Sequence, residues 1–236
     1  MTISKELLFS SCAEFGVQVD DACADRLDTY AKLLIEYNEK VNLTAITQPD
    51  EIVKKHFADS LLLLRFVDIQ KGTRYADIGT GGGFPGAVLL CAVPDAQAVL
   101  VDSINKKLDF IRFLLRELGL QAEVLTARAE ELGRKGEYRE TFDVVTARAV
   151  AQLNQLSEYC MPLVKVGGVF APMKGKLEAE EQQRGFGAIA NLGGKVEQNI
   201  ELSLDGAQRH IVVAKKISQT PTKYPRNQAQ ISKKPL

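Results

Sequence analysis

Apolar residues recur with helical spacing in the first part of the chain. They follow the three-to-four-residue period of an amphipathic helix over residues 4–15 and 20–39, and a further helix is predicted over about residues 50–66. One face of the second segment is apolar or aromatic and consists of Leu27, Tyr30, Leu34 and Tyr37. Asp20 or Asp21 can cap the start of this segment. The pattern predicts that residues 1–70 form a helical extension packed on the domain that follows.

Short apolar strands and helical segments alternate after residue 74. Strands are predicted at residues 75–78, 98–101, 123–126, 142–147 and 169–171. Helices are predicted between and after them, at about residues 85–93, 106–118, 151–163 and 178–192. Such alternation is typical of a parallel sheet covered by helices on both faces. The pattern therefore predicts an α/β domain.

A glycine-rich turn follows the first predicted strand. Its backbone lacks Cβ atoms at four places, so that a flat or charged ligand can lie directly on the chain, and these are Gly79, Gly81, Gly82 and Gly83. Pro85 opens the next helix at a position that tolerates proline. The free N–H groups at the start of that helix add partial positive charge. The turn predicts a cradle for a nucleoside cofactor.

Two classes of cofactor fit the glycine spacing. Gly81, Gly83 and Gly86 satisfy the G-x-G-x-x-G fingerprint of dinucleotide-binding domains. The same turn satisfies the D-x-G-x-G-x-G pattern of enzymes that use S-adenosylmethionine (AdoMet), which begins here with Asp77 and Gly79. Charge favours AdoMet, because Asp77 would repel a pyrophosphate but attract an ammonium and a sulfonium.

The last part of the domain breaks the alternation of strands and helices. Val196–Leu204 and Arg209–Lys215 are joined by the turn dipeptide Asp205-Gly206 with no helix between them. They predict an antiparallel hairpin that closes a mainly parallel, seven-stranded sheet. A nicotinamide-binding domain would instead continue with strand–helix units. The expected fold over residues 71–217 is therefore the Rossmann-like fold of class I AdoMet-dependent methyltransferases.

Charge is balanced over the whole chain but unevenly distributed. Lys and Arg equal Asp and Glu at 30 each, so the whole chain is not a general binder of polyanions. Residues 214–236 contain six Lys or Arg and no acid, whereas residues 1–31 contain six acids and two bases. Residues 218–236 are assigned to a basic, proline-containing tail. This tail is expected either to be disordered and solubilising or to touch RNA.

The remaining composition indicates an ordinary globular protein. Hydrophobic residues make up 45% of the chain and charged residues 25%, which suits a full core. The four cysteines show no metal-ligand spacing and are expected to be buried thiols. No signal peptide is evident, and no apolar run approaches the length of a membrane span. We expect a cytoplasmic monomer without metal or membrane contact.

Polar residues follow the predicted strands at the edge where an α/β sheet binds its ligand. Asp102 ends the second strand and can accept hydrogen bonds from a ribose diol or cap the following helix. Ala129 and Glu130 come just after the third strand, and Glu130 could cap a short turn and still border an adenine. Arg148 follows the fourth strand and would lie over the transferable methyl as a phosphate or substrate contact, or form a surface salt bridge.

Missing motifs narrow the chemistry. No Asn/Asp-Pro-Pro-Tyr/Phe follows the fourth strand, which is the usual device for methylating an exocyclic amine. No cysteine stands in the Pro-Cys or Thr-Cys setting for attack on C5 of a pyrimidine, so covalent catalysis is not expected. The remaining chemistry is in-line displacement by an acceptor that already has a lone pair. Guanine N7 is such an acceptor, and it needs alignment and charge stabilisation but no general base.

As a set, these motifs resemble the bacterial small-subunit ribosomal RNA guanine-N7 methyltransferases, also called the glucose-inhibited division protein B family. The resemblance spans about residues 38–215 and is carried by Asn42-Leu43-Thr44, His56-Phe57-Ala58-Asp59-Ser60, the Asp77–Gly86 loop, Asp102-Ser103, Ala129-Glu130, Ala147-Arg148-Ala149, Lys174-Gly175 and Arg209-His210. It implies methylation at N7 of one guanosine in the decoding-region hairpin of 16S ribosomal RNA. The partner would be 16S ribosomal RNA, the 30S subunit or its assembly precursor.

The resemblance also implies roles for single residues. The AdoMet pocket would be lined by Gly79, Phe84, Ala129, Glu130 and Arg148, and the patterns above add Asp77, Gly81 and Asp102. The substrate side would include Asn42, Thr44, His56, Asp59, Lys174 and Arg209, with Arg148 and Lys174 as catalytic residues. A structural pairing of His56 with Asp59, and a bracing role for Asn42 and Thr44, are equally compatible with the sequence.

Three other functions stay open at this point. An AdoMet-dependent methyltransferase of another RNA, a protein or a small molecule is the first, and for the last two an enclosed acceptor pocket is expected. An RNA substrate instead predicts an open basic rim around Arg148, Lys174 and Arg209. A nicotinamide oxidoreductase and a non-catalytic RNA-binding protein of ribosome assembly are the others.

Overall fold

A seven-stranded sheet forms the centre of the computed structural model, which describes residues 2–148 and 150–236. Its strands are β1 Arg74–Ile78, β2 Gln97–Asp102, β3 Ala122–Thr126, β4 Phe142–Arg148, β5 Val164–Lys174, β6 Gly194–Leu204 and β7 Ala207–Lys216. They lie in the order β3-β2-β1-β4-β5-β7-β6. β1 to β5 are parallel, and β7 is antiparallel to both of its neighbours. The predicted fold class, with its closing hairpin, is confirmed.

The first two helices of the chain share the core of the sheet. α1 (Lys5–Ala13) and α2 (Asp21–Asn38) begin close to the predicted places, and Asp20 caps α2 by accepting a hydrogen bond from the Cys23 N–H. The fully buried residues on the predicted apolar face of α2 are Leu27, Tyr30 and Leu34. They belong to the same continuous apolar core as one face of the sheet. Met1, at the start of the predicted extension, and Ala149 of the quoted motif lie outside the described residues.

The third predicted helix changes its winding along its length. It consists of α3 (Pro49–Ile52), a π-helical turn (Val53–Ala58), α4 (Asp59–Leu61) and a 3₁₀ turn (Leu62–Arg65). The helix predicted over about residues 50–66 is therefore confirmed, whereas its changes of winding were not predicted. A π-helical turn holds an extra residue and is frequent at functional sites, and here it contains His56.

Helices cover both faces of the sheet. α5 (Gly86–Ala92) and α6 (Asn105–Glu117) lie on the face that α1 and α2 also cover. The opposite face carries α7 (Ala129–Leu132), α8 (Leu153–Cys160) and α9 (Ala179–Asn191). α8 is shorter and β5 longer than the sequence pattern predicts. The two-sided covering that the alternation predicts is confirmed.

The C-terminal segment, residues 218–236, is folded, so the expectation of a disordered tail is wrong. It contains a short helix, α10 (Gln228–Lys233), whose Ile231 side chain is fully buried. Arg226 forms an ion pair with Glu158 of α8. The segment has few apolar residues, and polar contacts with the α/β domain hold much of it in place.

Candidate active site

A cavity of about 540 Å³ opens at the carboxyl ends of the central strands. Its wall includes five of the residues predicted to bind a cofactor, namely Gly79, Asp102, Ala129, Glu130 and Arg148. The other three, Asp77, Gly81 and Phe84, do not belong to the wall. Parallel α/β sheets bind their ligands at this edge. The cavity is therefore the candidate cofactor site.

The glycine turn lines the cavity at one end and contacts helix α2 at the other. Gly79 and Thr80 both donate backbone hydrogen bonds to the Val101 carbonyl, and Gly79 lines the cavity with a φ of +73°. Gly83 has a φ of +99°, and a Cβ at this position would collide with the Tyr30 hydroxyl. A ligand can therefore approach the backbone at Gly79, whereas the absence of a side chain at Gly83 leaves room for Tyr30 of α2.

Asp77 is fully buried beneath the glycine turn. Its Oδ2 accepts a hydrogen bond from the Gly86 N–H at 2.8 Å, while Oδ1 has no hydrogen-bond partner among the described residues. Burial raises the pKa of Asp77 to about 6, although the nearby Thr80 hydroxyl and the Gly86 N–H oppose the shift. Asp77 therefore fixes the start of α5 and acts on the cavity from behind the turn.

Asp102 joins β2 to the glycine turn. Its Oδ2 accepts from the Gly81 N–H at 3.0 Å and its Oδ1 from the Ile104 N–H at 2.9 Å. Ile104, not Asp102, is the cap residue of α6. An ionised carboxylate has about four acceptor positions. Asp102 can therefore still accept hydrogen bonds from a ribose diol in the cavity.

Phe84, His56 and Arg148 form a stack at the edge of the cavity. The ring centroids of His56 and Phe84 are 4.1 Å apart, and the Arg148 guanidinium lies 5.0 Å from the Phe84 centroid. Arg148 also donates hydrogen bonds to Asp59 Oδ2 at 2.7 Å and to His56 Nδ1 at 3.0 Å. Phe84 thus helps to position the arginine that lines the cavity.

His56 is neutral in this arrangement. Because Arg148 donates to Nδ1, the proton is on Nε2, which donates to Thr44 Oγ1 at 2.7 Å. Burial, and then the charge of Arg148, lower the pKa of His56 to about 3. Thr44 Oγ1 also accepts from the Ile46 N–H at 3.0 Å. His56 and Thr44 therefore brace the link between α2 and the cavity.

Asp59 is buried and bridges two arginines. Its Oδ1 accepts from Arg209 Nε and its Oδ2 from Arg148, each at 2.7 Å. His56 and Asp59 are linked through Arg148, which donates a hydrogen bond to each of them. Four of the six predicted substrate-side residues thus form one network with Arg148, and these are Thr44, His56, Asp59 and Arg209.

Lys174 and Asn42 do not join this network. Lys174 Nζ pairs with Glu181 Oε1 and donates to the Ala151 carbonyl, each at 2.7 Å. Glu181 also accepts from the Leu153 N–H at 2.8 Å, so this pair holds the segment that follows β4. Asn42 is exposed on the link after α2.

Three cations at the predicted substrate side are already paired with carboxylates. The exposed fractions of the side chains are 15% for Arg148, 13% for Lys174 and 21% for Arg209. The expectation of an open basic rim at these residues is therefore wrong for the chain by itself.

Sequence reasoning missed two residues that hold the site together. The Tyr30 hydroxyl donates to the Gly82 carbonyl and ties α2 to the glycine turn. Asn38 Oδ1 accepts hydrogen bonds from the N–H groups of Leu43 and Thr44 and shapes the link after α2. Tyr30 looks like an ordinary core aromatic in the sequence. Asn38, which ends a helix before a non-helical link, carries a usable turn signal.

Metal and membrane features can be assessed for residues 2–148 and 150–236. No three His, Cys, Asp or Glu side chains in these ranges are placed to hold a metal ion. The four cysteines are buried thiols, as predicted, and burial raises the pKa of Cys12 and of Cys23 to about 12. No helix in the same ranges has the length and apolarity needed to cross a bilayer.

Solved structures share this fold. TrmN from Thermus thermophilus superposes with a TM-score of 0.55 over 70% of this chain and 53% of that chain, at 20% identity. A SAM-dependent O-methyltransferase from Thermotoga maritima gives a TM-score of 0.53 over 80% of this chain and 72% of that chain, at 17% identity. The sheet order, the glycine turn and the cavity together define a class I AdoMet-dependent methyltransferase.

The model of the GidB family, described as rRNA small subunit methyltransferase G, matches residues 24–212, and the chain belongs to this family. A relative named ribosomal RNA small subunit methyltransferase G in Alkaliphilus metalliredigens is 44% identical over 99% of both chains. The relative of that name in Desulfitobacterium hafniense is 46% identical over 90% of this chain and 89% of its own. The family resemblance stated from the motifs is confirmed.

Proposed function

We propose that this protein transfers a methyl group from AdoMet to N7 of one guanosine in 16S ribosomal RNA. The observation that carries the proposal is that Arg148 links the cofactor cavity to the predicted substrate side. This side chain lines the cofactor cavity, and through Asp59 it is joined to Arg209, which lies outside the cavity wall. Membership of the GidB family supports ribosomal RNA as the substrate.

The residues of the cavity fit AdoMet. Bound AdoMet supplies a methyl group on a positively charged sulfur. The Gly79 backbone allows close approach, Asp102 offers acceptors to a ribose, and the largely buried Glu130 lies at the start of α7. These two carboxylates and Asp77 behind the turn favour a cationic ligand over a pyrophosphate. The same charges argue against a nicotinamide dinucleotide.

The side chains around Arg148 suit an acceptor that carries no proton at the reacting atom. Guanine N7 has a free lone pair, so the site must align it and stabilise charge rather than remove a proton. His56 is neutral and its two ring nitrogens are both engaged, so it does not serve as a general base. We assign Arg148 a catalytic role as a hydrogen-bond donor that Asp59, His56 and Phe84 hold in a fixed orientation, so that it aligns the acceptor base with the methyl group.

Binding of RNA would exchange carboxylate partners for phosphates. Arg209 is the most exposed of the three paired cations and is the first candidate for this exchange. Lys174 would contact RNA only after release from Glu181, and it otherwise positions the segment after β4. Asn42, on the exposed link, is a further substrate contact in this proposal.

We further propose that the acting species is a cytoplasmic monomer whose substrate is 16S RNA, the 30S subunit or its assembly precursor. The large exposed apolar side chains of the described chain are Ile104, Val150, Val166 and Ile217. The first two line the cofactor cavity, so little apolar surface is left for a stable dimer interface. Light scattering on the purified protein should give the mass of one chain, and the mass of two chains would contradict this.

Labelled methyl transfer tests the proposal. The protein is incubated with radiolabelled AdoMet and either naked 16S RNA or 30S particles from a strain that lacks this methyl group. Chemical cleavage at 7-methylguanosine should then map the label to one nucleotide of 16S RNA. Label in protein, in another RNA position or nowhere would remove the proposed function. A difference between naked RNA and particles identifies the true substrate.

A further inference from the structure

Two side chains of α10 belong to the wall of the cofactor cavity. Gln228 and Ser232 line it beside Gln155 and Tyr159 of α8. They are four residues apart on one helix and so lie on the same face. Both are exposed, and Gln228 Nε2 donates to Ser232 Oγ at 3.3 Å. Their segment, residues 218–236, follows the last strand and takes no part in the sheet.

Buried polar contacts fix the start of this segment. Lys216, at the end of β7, is buried, and its Nζ donates to Thr220 Oγ1 at 2.8 Å and pairs with Glu140 at 3.0 Å. Further along, Arg226 pairs with the fully buried Glu158 of α8. Breaking a buried ion pair on one side leaves an uncompensated charge. The chain leading into α10 is therefore held to one path.

The rest of the segment is fixed as well. Ile231 of α10 is fully buried, on the side that packs into the protein. Asn154 Nδ2 of α8 donates to the Leu236 carbonyl at 2.8 Å. Gln228 and Ser232 are therefore presented to the cavity by a docked helix and not by a free arm.

The strand order indicates which end of a bound cofactor these side chains meet. From β4 through β1 and β2 to β3, the cavity wall offers Arg148, Gly79, Asp102 and Glu130 in turn. Tyr159 lies on α8, which packs against α7, the helix that carries Glu130, so this tyrosine lies at the Glu130 end of the wall. Ile104, 48% exposed, adds an apolar surface to the wall. A nucleoside whose ribose meets Asp102 would have its base at this end.

We propose that Gln228 and Ser232, next to Tyr159, bind the adenine of AdoMet, so that the C-terminal segment is an integral part of the cofactor site. The inference rests on the proposed use of AdoMet. An amide and a hydroxyl each supply donor and acceptor atoms. The edge of adenine presents an amino group and ring-nitrogen acceptors, which match them.

Calorimetric titration of a Gln228→Ala/Ser232→Ala double variant tests this assignment. The ligands are S-adenosylhomocysteine and 5′-methylthioadenosine, which lacks the amino-acid part. We expect Kd to rise about tenfold for both ligands, because two hydrogen bonds to the base are lost. The melting temperature should stay that of the wild type, since both side chains are exposed. Thr222→Ala is the matched control, because Thr222 is exposed on the same segment but does not line the cavity.

Two results would overturn the assignment. One is an unchanged Kd in the double variant while the wild type binds both ligands. The other is a loss confined to S-adenosylhomocysteine, because the side chains would then act on the amino-acid end. If the wild type binds neither ligand, the proposed function itself fails, so the two failures are distinguishable.

Discussion

Asp59 holds Arg148 and Arg209 at the same time, and this shared carboxylate determines what each arginine substitution should do. If one arginine is removed, the buried carboxylate keeps the other as its partner. The fold should therefore survive either single substitution, which allows function to be measured separately from stability. The two variants should differ, because Arg148 lines the cofactor cavity and Arg209 does not.

Arg148→Ala should lower the rate of methyl transfer about 100-fold or more at saturating AdoMet and RNA. The physical reason is the loss of a side chain that is held in a fixed orientation and aligns the acceptor with the methyl group. Single-turnover kinetics on 16S RNA measures this rate. Arg209→Ala is the matched control and should mainly raise KM for RNA. Wild-type turnover in Arg148→Ala would show that its ion pair with Asp59 is structural only.

Buried His56 should make the chain more stable as pH rises. Its pKa is lowered to about 3, chiefly by burial, whereas an unfolded histidine titrates near about 6.5. Between these values the unfolded state binds a proton that the folded state excludes, so stability is lost as pH falls through this range. In His56→Gln, urea denaturation between about pH 4 and pH 7 should show a smaller rise in the free energy of unfolding. An identical rise in both proteins would contradict the buried, neutral histidine.

Asp77 should contribute to stability with the opposite sign. Burial raises its pKa from 3.8 to about 6, so in that range the folded state binds a proton that the unfolded state has released. Stability from this group therefore falls as pH rises from about 4 to about 6, by at most about 3 kcal/mol. Asp77→Asn should gain stability relative to the wild type on going from pH 4 to pH 7. A difference in free energy of unfolding that stays constant with pH would refute this account.

At the scale of elements, α2 is the support of the glycine turn. The Tyr30 hydroxyl bonds to the Gly82 carbonyl, and the Tyr30 ring stacks on Phe84 at 5.7 Å between centroids. Gly83 leaves room for the tyrosine. The helical extension therefore shapes the cofactor site through this single side chain as well as through the network around His56.

Tyr30→Phe should keep the packing of the ring but leave the buried Gly82 carbonyl unpaired. We expect a loss of about 1–3 kcal/mol in the free energy of unfolding and several-fold weaker binding of AdoMet. Urea denaturation and calorimetry measure the two effects. Tyr37→Phe, on the same helix, is the control, because the Tyr37 ring packs on Phe110 and Phe113. Equal effects of the two substitutions would remove the special role of Tyr30.

Local patterns predicted most of these elements, and tertiary contacts explain the exceptions. The strands after residue 74 could be predicted because strands that are covered on both faces appear in the sequence as short apolar runs. The π-helical turn at Val53–Ala58 has no such local signal, and neither does the contact of Tyr30 with the glycine turn. The C-terminal segment looked disordered because its attachment depends on polar partners such as Glu158, which are distant in sequence.

At the scale of the whole molecule, the site is assembled from three parts of the chain. His56 comes from the N-terminal extension, Arg148 from the sheet and Gln228 from the C-terminal segment. The strand-end residues could be predicted, since their position follows from fold class alone. The ion-pair partners of the cations, such as Glu181 for Lys174, could not be predicted, because the pairing depends on how distant segments pack.

Arg226→Ala should destabilise the whole protein by about 3 kcal/mol, because Glu158 is fully buried and would lose its counter-charge. Thermal denaturation measures the effect. Arg226→Ala combined with Glu158→Gln should be less destabilised than Arg226→Ala alone, since the unpaired charge is then removed. If the double variant loses as much stability as the two single variants added together, the two side chains do not stabilise each other, and other contacts hold the tail.

The most direct test of the central claim is mass spectrometry of 16S RNA after reaction with AdoMet that carries a deuterated methyl group. The RNA is digested with a nuclease and its fragments are compared with those from a reaction without protein. We predict that one fragment gains a single deuterated methyl on the base of a guanosine, at N7, and that Arg148→Ala slows this gain. RNA that stays unlabelled, or a label on ribose or on an exocyclic amine, would contradict the account.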